Sequence, residues 1–384
     1  MKKVLLIIVL LFAFILFGCK SVYYNEIHNK SYNVEIDLEE FEDLITASIE
    51  KAAPSVVGVS NYEKGLLGYT LSSTASGVVY SCEAVLKDGT IEKDYTKTFD
   101  SNDVSEYRYK LITNRHVVTS KKENKIRIFI GDDGRKVDAT ILGIDDKVDL
   151  AVLEFAYPKF IQPISIGDSS KVQRGNFAIA IGHPGGYEYY GSSTFGIVSY
   201  PKRYFSSDTD GDGVDDWDSE YIQHDVAINS GSSGGALVNI RGELIGINTM
   251  KLVEEDTENM GFAIPSNLVK EIVSYLEKGL KPRRITLGIT TYEVIKIINN
   301  DDNGSNVPSA NIPSDIDYGL YIDEVDVMGM TFKSLQHGDI ILKINDVKIT
   351  RKQEFNAELG KVIDGSFKLL ILRNSEEIEV WISY

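Results

Sequence analysis

Apolar residues recur along this chain in several distinct patterns. Residues 4–17 are apolar without a break and follow Lys2 and Lys3. In residues 38–53, Phe41, Leu44, Ile45, Ile49 and Ala52 fall near helical spacing, which predicts a helix that Pro54 ends. Beyond Pro54 the pattern changes to short apolar runs with turn residues between them: 56–59, 77–80, 111–113, 126–130, 150–155, 177–181, 197–199, 236–238 and 244–247. Many short runs at such spacing predict an antiparallel sandwich or barrel. Asn239-Ile240-Arg241-Gly242 reads as a hairpin turn joining two of them. A second helical pattern covers 266–278, with Ser266 as cap, Leu268, Val269, Ile272, Val273 and Leu276 on one face, and Gly279 as terminator.

Two polar stretches interrupt the strand pattern. Residues 81–108 are long and charged, with a hairpin turn expected at Lys87-Asp88-Gly89-Thr90; residues 206–220 are acidic. Pro282, Arg283 and Arg284 mark a domain boundary, giving one domain over 38–282 and a second over 283–384. The second opens with Leu287-Gly288-Ile289, crosses an Asn-, Asp-, Ser- and Pro-rich loop at 299–317, and ends in strands.

Composition narrows the function classes. The 384 residues are 43% hydrophobic and 25% charged, as in globular core-forming chains. A formal charge of −17 argues against a nucleic-acid binder, which needs clustered Lys and Arg. The apolar run at 4–17 is shorter than a bilayer-spanning helix and reads as a signal-peptide core. It ends in Leu16-Phe17-Gly18-Cys19, which resembles a bacterial lipobox, although Phe17 is bulkier than the residue usual there. The reading is a signal peptide at 1–19, lipid attachment at Cys19 and a tether at 20–37, on the extracytoplasmic face of a bacterial cell membrane. Ordinary cleavage and an uncleaved anchor are the alternatives. With only Cys19 and Cys82, there is neither a disulfide framework nor a Cys-based zinc site.

Candidate chemistry begins at Asn229-Ser230-Gly231-Ser232-Ser233-Gly234-Gly235. A flexible linker has this composition too, but apolar strand-like runs flank it on both sides. Glycines beside a serine suit acyl transfer, because they let the backbone turn its N–H groups onto a developing oxyanion. Ser233 is then the nucleophile, within a Gly231, Ser232, Ser233 backbone where Gly231 and Ser233 donate. A hydroxyl needs a base. Of five histidines, His28 lies in the tether, His183 in a Gly-Pro turn, His224 in a strand and His337 in a turn of the second domain. His116 follows the strand Leu111-Ile112-Thr113. A lone histidine there is more often structural than catalytic. Asp149 opens the apolar run Leu150-Ala151-Val152-Leu153, so its carboxylate can reach inward, whereas Asp145 and Asp146 read as a solvated turn. The order His, Asp, Ser is one of the known triad orders.

On these residues the chain resembles the HtrA (DegP-type) trypsin-like serine protease family. The matching motifs are Pro54-Ser55-Val56-Val57-Gly58-Val59, Ser76-Gly77-Val78-Val79, Thr113-Asn114-Arg115-His116-Val117-Val118, the run opened by Asp149, and the stretches 180–186, 223–239 and Gly261-Phe262-Ala263-Ile264-Pro265. The resemblance spans residues 50–280 and implies a mainly β fold, with a trypsin-like double β-barrel. It implies cleavage of unfolded or misfolded polypeptides, assembly as a homotrimer, and triad roles for His116, Asp149 and Ser233. It also sets Met260, Gly261 and Phe262 beside the specificity pocket, though Phe262 suits a core strand equally well. The usual Asn before the nucleophile is Ser232 here, a change that backbone oxyanion donors should tolerate. Activity should fall once acid protonates the histidine base.

The second domain resembles a PDZ domain through Leu287-Gly288-Ile289, Gly319-Leu320-Tyr321-Ile322 and Gly338-Asp339-Ile340-Ile341-Leu342. That implies capture of C-terminal peptides, with Leu287, Gly288 and Ile289 as the carboxylate loop. The competing reading is a catalytically silent chaperone or sensor that works through this domain. Acyl transfer of this kind requires no cofactor. Asp208, Asp210, Asp212 and Asp216, with Gly213 between, have a spacing that suits Ca²⁺, but Ser219 replaces the expected bidentate Glu. A solvated acidic loop has the same sequence.

Overall fold

The computed structural model describes residues 37–94, 103–131, 135–207, 217–249, 260–282, 284–299, 310, 312–327, 329, 331, 333–362 and 365–383. The chain divides into the units Met1–Asp43 and Leu44–Tyr384. In the first, Asp37 caps helix α1 (Leu38–Ala52), its Oδ1 accepting the N–H groups of Glu39 and Glu40 at 3.0 and 3.3 Å. From Leu44 on, α1 belongs to the second unit, where Ile45 and Ile49 pack on that unit's own core. The α-helix stops where Pro54 enters a 3₁₀ turn at Ala53–Ser55.

Nearly every apolar run becomes a strand. The first sheet holds β1 (Val56–Gly65), β2 (Gly68–Leu86), β3 (Ile91–Glu92), β4 (Val104–Asn114), β5 (Asn124–Ile130), β6 (Arg135–Asp145) and β7 (Leu150–Tyr157). Their order is β1-β5-β6-β7-β4-β2-β3, and pairing of β1 with β2 closes the sheet on itself. Closure removes the exposed edges that an open sheet must protect. Val57, Val59, Val79, Leu111, Ile128 and Leu153 fill this barrel. Residues 95–102 lie outside the described residues; within the polar stretch at 81–108 those described extend the β2–β4 pairing, with Ala84 paired to Glu92 and to Tyr107. Within it Cys82 is buried, and burial pushes its thiol up to about 11, so it is an inert core residue.

The second sheet holds β8 (Ser165–Ile166), β9 (Phe177–Gly182), β10 (Ser192–Ser207), β11 (Trp217–His224), β12 (Ala236–Val238), β13 (Glu243–Thr249) and β14 (Gly261–Pro265). The order β12-β9-β10-β11-β14-β13-β8 is closed by a β12–β13 pairing through the hairpin turn expected at 239–242. Helix α3 (Ser266–Leu276) packs its apolar face on both barrels, and the turn that follows it closes at Gly279, where φ is +68°. Ser266 is not its cap. It is the first helical residue, it is fully buried, and its hydroxyl donates to Gly167 O at 2.8 Å.

The third sheet comprises β15 (Ile289–Glu293), β16 (Leu320–Val325), β17 (Ile340–Ile344), β18 (Val347–Lys348), β19 (Ser366–Arg373) and β20 (Glu376–Ser383). Short helix α4 (Val294–Asn299) and helix α5 (Lys352–Gly360) accompany it. Helix α5 rests on β10 and β11, so the third sheet meets the second barrel along one seam. Lys361, just past α5, sits between Glu220 of β11 at 2.5 Å and Glu358 at 2.7 Å. Asn356 donates to Asp218 at 2.7 Å and Gln353 to Ser206 at 3.0 Å.

Candidate active site

One turn of helix, α2 (Arg115–Val118), follows β4 and sets His116 at the rim of the first barrel. Asp149 stands in the turn entering β7 with φ +57°. Aspartate tolerates this left-handed backbone better than most residues. The carboxylate is turned inward: Oδ1 accepts the His116 N–H at 3.0 Å, and Oδ2 lies 2.7 Å from His116 Nδ1. The Asp149 carbonyl accepts from Arg115 N–H at 3.0 Å and from Asn114 Nδ2 at 3.2 Å. One buried residue thus fixes both the main chain and the ring of His116. A carboxylate on Nδ1 holds the proton there and leaves Nε2 as the accepting nitrogen. The ring is 36% exposed while the Asp149 side chain is 9% exposed, so the pair opens outward through the imidazole. Nearby Tyr221 registers the buried charge: burial first, then the Asp149 carboxylate, push its hydroxyl up to about 12.

Ser233 lies in the loop from β11 to β12. Two glycines there have left-handed backbones, φ +99° at Gly231 and +78° at Gly234. A Cβ on Gly231 would lie 2.5 Å from His183 O, and one on Gly234 would lie 2.2 Å from Ser76 O. Neither position has room for a side chain. The loop is tied to both barrels. Ser76 Oγ donates to Gly231 O at 2.7 Å and accepts the His183 N–H at 2.9 Å. Ser76 N–H donates to Ser233 O at 2.9 Å, while Thr113 Oγ1 donates to Ser76 O at 2.7 Å. From β13, Asn248 O accepts the Gly234 N–H and Asn248 N–H donates to Gly235 O, both at 2.9 Å. Thr113 stands on the strand that leads into His116, so the serine loop and the His–Asp pair share one end of the first barrel.

The backbone orientation can be read from these bonds. Ser230 O accepts from Gly185 N–H at 2.8 Å, and Ser232 O accepts from Gly235 N–H at 3.0 Å. In a planar trans peptide the following N–H points the opposite way. The N–H groups of Gly231 and Ser233 are therefore turned away from those partners. Ser232 has a holding role: its N–H donates to Asn229 O at 2.8 Å, and its Oγ accepts the Asn229 N–H at 3.2 Å.

The other histidines have different surroundings. His183 is buried, stacks on Tyr190 at 4.2 Å, and accepts the Gly191 N–H on Nδ1 at 2.9 Å. His224 is wholly buried against Gly261. Burial pulls both down to about 4, so both are neutral. His337, in the turn before β17, approaches Asp323 O at 2.6 Å, and His28 lies outside the described residues.

The remaining candidates scatter. Met260 is 40% exposed, Gly261 is buried on the His224 ring, and Phe262 is buried in edge contact with Phe205 at 4.9 Å. Leu287 is buried, Gly288 has φ +67°, and Ile289 opens β15. Cys19 and the Asp208, Asp210, Asp212 and Asp216 set lie outside the described residues. Among the described residues, no group of three or more His, Cys, Asp or Glu side chains could hold a metal ion. Asp145 corrects the solvated-turn expectation: it is 5% exposed, and its Oδ2 accepts from Arg284 Nη2 at 2.7 Å. Ser76 and Thr113 received no role from sequence, because their task depends on contacts that only the folded chain makes.

Comparison with known proteins adds to this geometry. A family model described as a trypsin-like peptidase domain matches residues 99–247. The serine protease Do-like HtrA of Bacillus subtilis is 32% identical over 338 residues, covering 87% of this chain and 71% of that protein. The periplasmic pH-dependent serine endoprotease DegQ of Escherichia coli is 34% identical over 273 residues, covering 70% of this chain and 55% of that protein. Among solved structures, the HtrA-type protease AlgW with tripeptide matches with a TM-score of 0.58 at 25% identity, covering 88% of this chain and 95% of that one.

Proposed function

This chain belongs to the HtrA family of trypsin-like serine endopeptidases, and from that premise we propose that it cleaves unfolded or misfolded polypeptides through Ser233, His116 and Asp149. Ser233 Oγ attacks the peptide carbonyl while His116 Nε2 takes its proton and later gives it to the leaving amine. Asp149 holds the ring and stabilises the imidazolium. The N–H groups of Gly231 and Ser233 receive the oxyanion. The observation that carries this reading is the Asp149 carboxylate bonded to both N–H and Nδ1 of His116, at 3.0 and 2.7 Å. The test is degradation of a reduced, carboxymethylated protein beside its native form. Loss of only the unfolded form, and only by the parent rather than Ser233→Ala, supports the reading; equal loss with both proteins overturns it.

The third sheet is read as a PDZ domain. Its strand β15 is an edge strand, paired only with β16 among the described strands, and is open to strand addition by a peptide. A groove of about 340 Å³ runs beside it, lined by Leu287, Gly288, Ile289, Phe355 and Leu359. Trp217 and Asp218 of the second barrel line the same groove, so a bound C-terminal peptide would bear on β11 and regulate the barrel. Membrane tethering rests on Lys2, Lys3, the apolar run and Cys19. Homotrimer assembly rests on family membership. Calcium at Asp208, Asp210, Asp212 and Asp216 rests on their spacing; equal peptidase rates with excess calcium and with chelator would remove it.

A further inference from the structure

A cleft of about 1080 Å³ lies beside the seam, between β10 and β14 of the second barrel and the connection from β18 to α5. Its walls carry Arg174, Lys202, Arg203, Lys348 and Arg351 against a single acid, Glu354. Such a concentration of cations runs against a chain of formal charge −17. Glu354 offsets one of these five charges and is held on its own element. Its Oε2 is taken up by the Thr350 N–H, the Thr350 hydroxyl and the Arg351 N–H, at 2.8, 2.7 and 3.1 Å. Lys202 reaches Glu220 only at 3.8 Å, and Glu220 is held by Lys361 at 2.5 Å. Three of the other four cations use aromatic faces. Arg203 and Arg174 lie over the Tyr200 ring at 4.1 and 4.8 Å from its centroid, and Lys348 lies 3.6 Å from that of Tyr318. A guanidinium stacked on a ring keeps in-plane N–H groups for an outside acceptor. Arg203 also donates to Gln223 at 2.8 Å, which steadies it. Met260, Phe205 and Phe262 supply apolar surface in the same cleft.

We propose that this cleft is a docking site for acidic stretches of polypeptide. Carboxylates of Asp or Glu meet the arginines and lysines, and an interleaved apolar side chain rests on Met260 and Phe205. The lining favours this occupant over a lone phosphate group. Phosphate sites use converging N–H donors, often at a helix N-terminus. Here the cations come from separate elements and are interspersed with aromatic and aliphatic surface, which matches a chain carrying both kinds of side chain. Docking itself does not depend on Ser233. Only its consequence, retention of acidic substrates near the barrel, rests on the endopeptidase reading.

The test uses full-length Ser233→Ala protein and fluorescence anisotropy with a labelled, C-terminally amidated peptide alternating Glu and Leu. Amidation removes the carboxylate a PDZ groove would capture. The expected result is salt-sensitive binding, weakened about tenfold by Arg174→Glu with Lys348→Glu and absent for the Gln-for-Glu peptide. Both substituted residues are exposed, and the Gln versions of the two substitutions give a milder second variant should the Glu versions fail to fold. In the Ser233-intact background, cleavage of a short neutral peptide should be unchanged. Equal binding of the Glu and Gln peptides, or binding indifferent to both pairs of substitutions, would overturn the proposal. So would vesicles of phosphatidylglycerol and phosphatidylcholine that bind the parent and not the variant while the peptide binds neither, which would assign the cleft to membrane lipid.

Discussion

Around His116 the polar bonds run mainly to backbone groups and to one buried carboxylate, whereas around Lys361 they run from side chain to side chain. Asp149 bonds to a main-chain N–H and a ring nitrogen, and the serine loop is held through Ser76, Thr113 and the Asn248 backbone. Ser76, Thr113 and Asn248 belong to strands of two closed barrels and Asp149 to the turn that enters β7, so their geometry is as stable as the barrels. At the seam the counterparts are Lys361 with Glu220 and Glu358, Asn356 with Asp218, and Gln353 with Ser206. Such contacts respond to salt, pH and competing ligands, and backbone ladders respond far less. The proposed chemistry therefore falls in the part of the molecule that is hardest to deform, and adjustable contacts occupy the part that touches the third sheet.

The comparison can be broken from either side. Ser233→Ala should lower kcat by about 10⁶-fold with little change in Tm, measured with a fluorogenic peptide and a thermal melt. Asp149→Asn should lower kcat by about 10⁴-fold, because the wrong tautomer of His116 is then held in place. A large fall in Tm with either substitution would mean that the site also holds the fold. Acid tests the barrels next. His183 and His224 are pulled from 6.5 down to about 4 by burial. Because the unfolded chain takes up these protons first, their contribution is full above pH 6.5 and is lost as pH falls through about 4. The loss is about 3 kcal/mol per residue at most, readable by urea unfolding at neutral and acid pH, and His183→Gln should flatten the profile. Lys361→Met is the smallest effect. Burial opposes the Lys361 charge, but Glu220 and Glu358 outweigh it and hold its ammonium above the usual lysine range. Removing it leaves Glu220 only the distant Lys202 ammonium at 3.8 Å, costing about 2 kcal/mol, most of which Glu220→Gln in the same protein should restore.

How much was legible in the chain depends on how local the cause is. The strands were, because each is a local apolar run. The apolar pattern by itself left sandwich and barrel open, because closure rests on the β1–β2 and β12–β13 pairings as parts of two complete circuits; the double β-barrel came from the family resemblance. His116, Asp149 and Ser233 stood out by their motifs and order. The φ of +57° that turns Asp149 inward left no mark beyond the tolerance of aspartate for it. Asp145 was misread because its neighbours Asp146 and Lys147 look like a solvated turn, while its partner Arg284 is 139 residues away. Ser266 was misread for the same reason, since its hydroxyl satisfies Gly167 instead of its own helix. The seam involved no motif at all.

Labelling with a fluorophosphonate, followed by peptide mass mapping, tests the central claim most directly. The account predicts one phosphonyl group on Ser233 in the parent, a rate sharply reduced in Asp149→Asn, and no adduct in Ser233→Ala. An adduct on another serine, or equal labelling rates in the parent and Asp149→Asn, would contradict it.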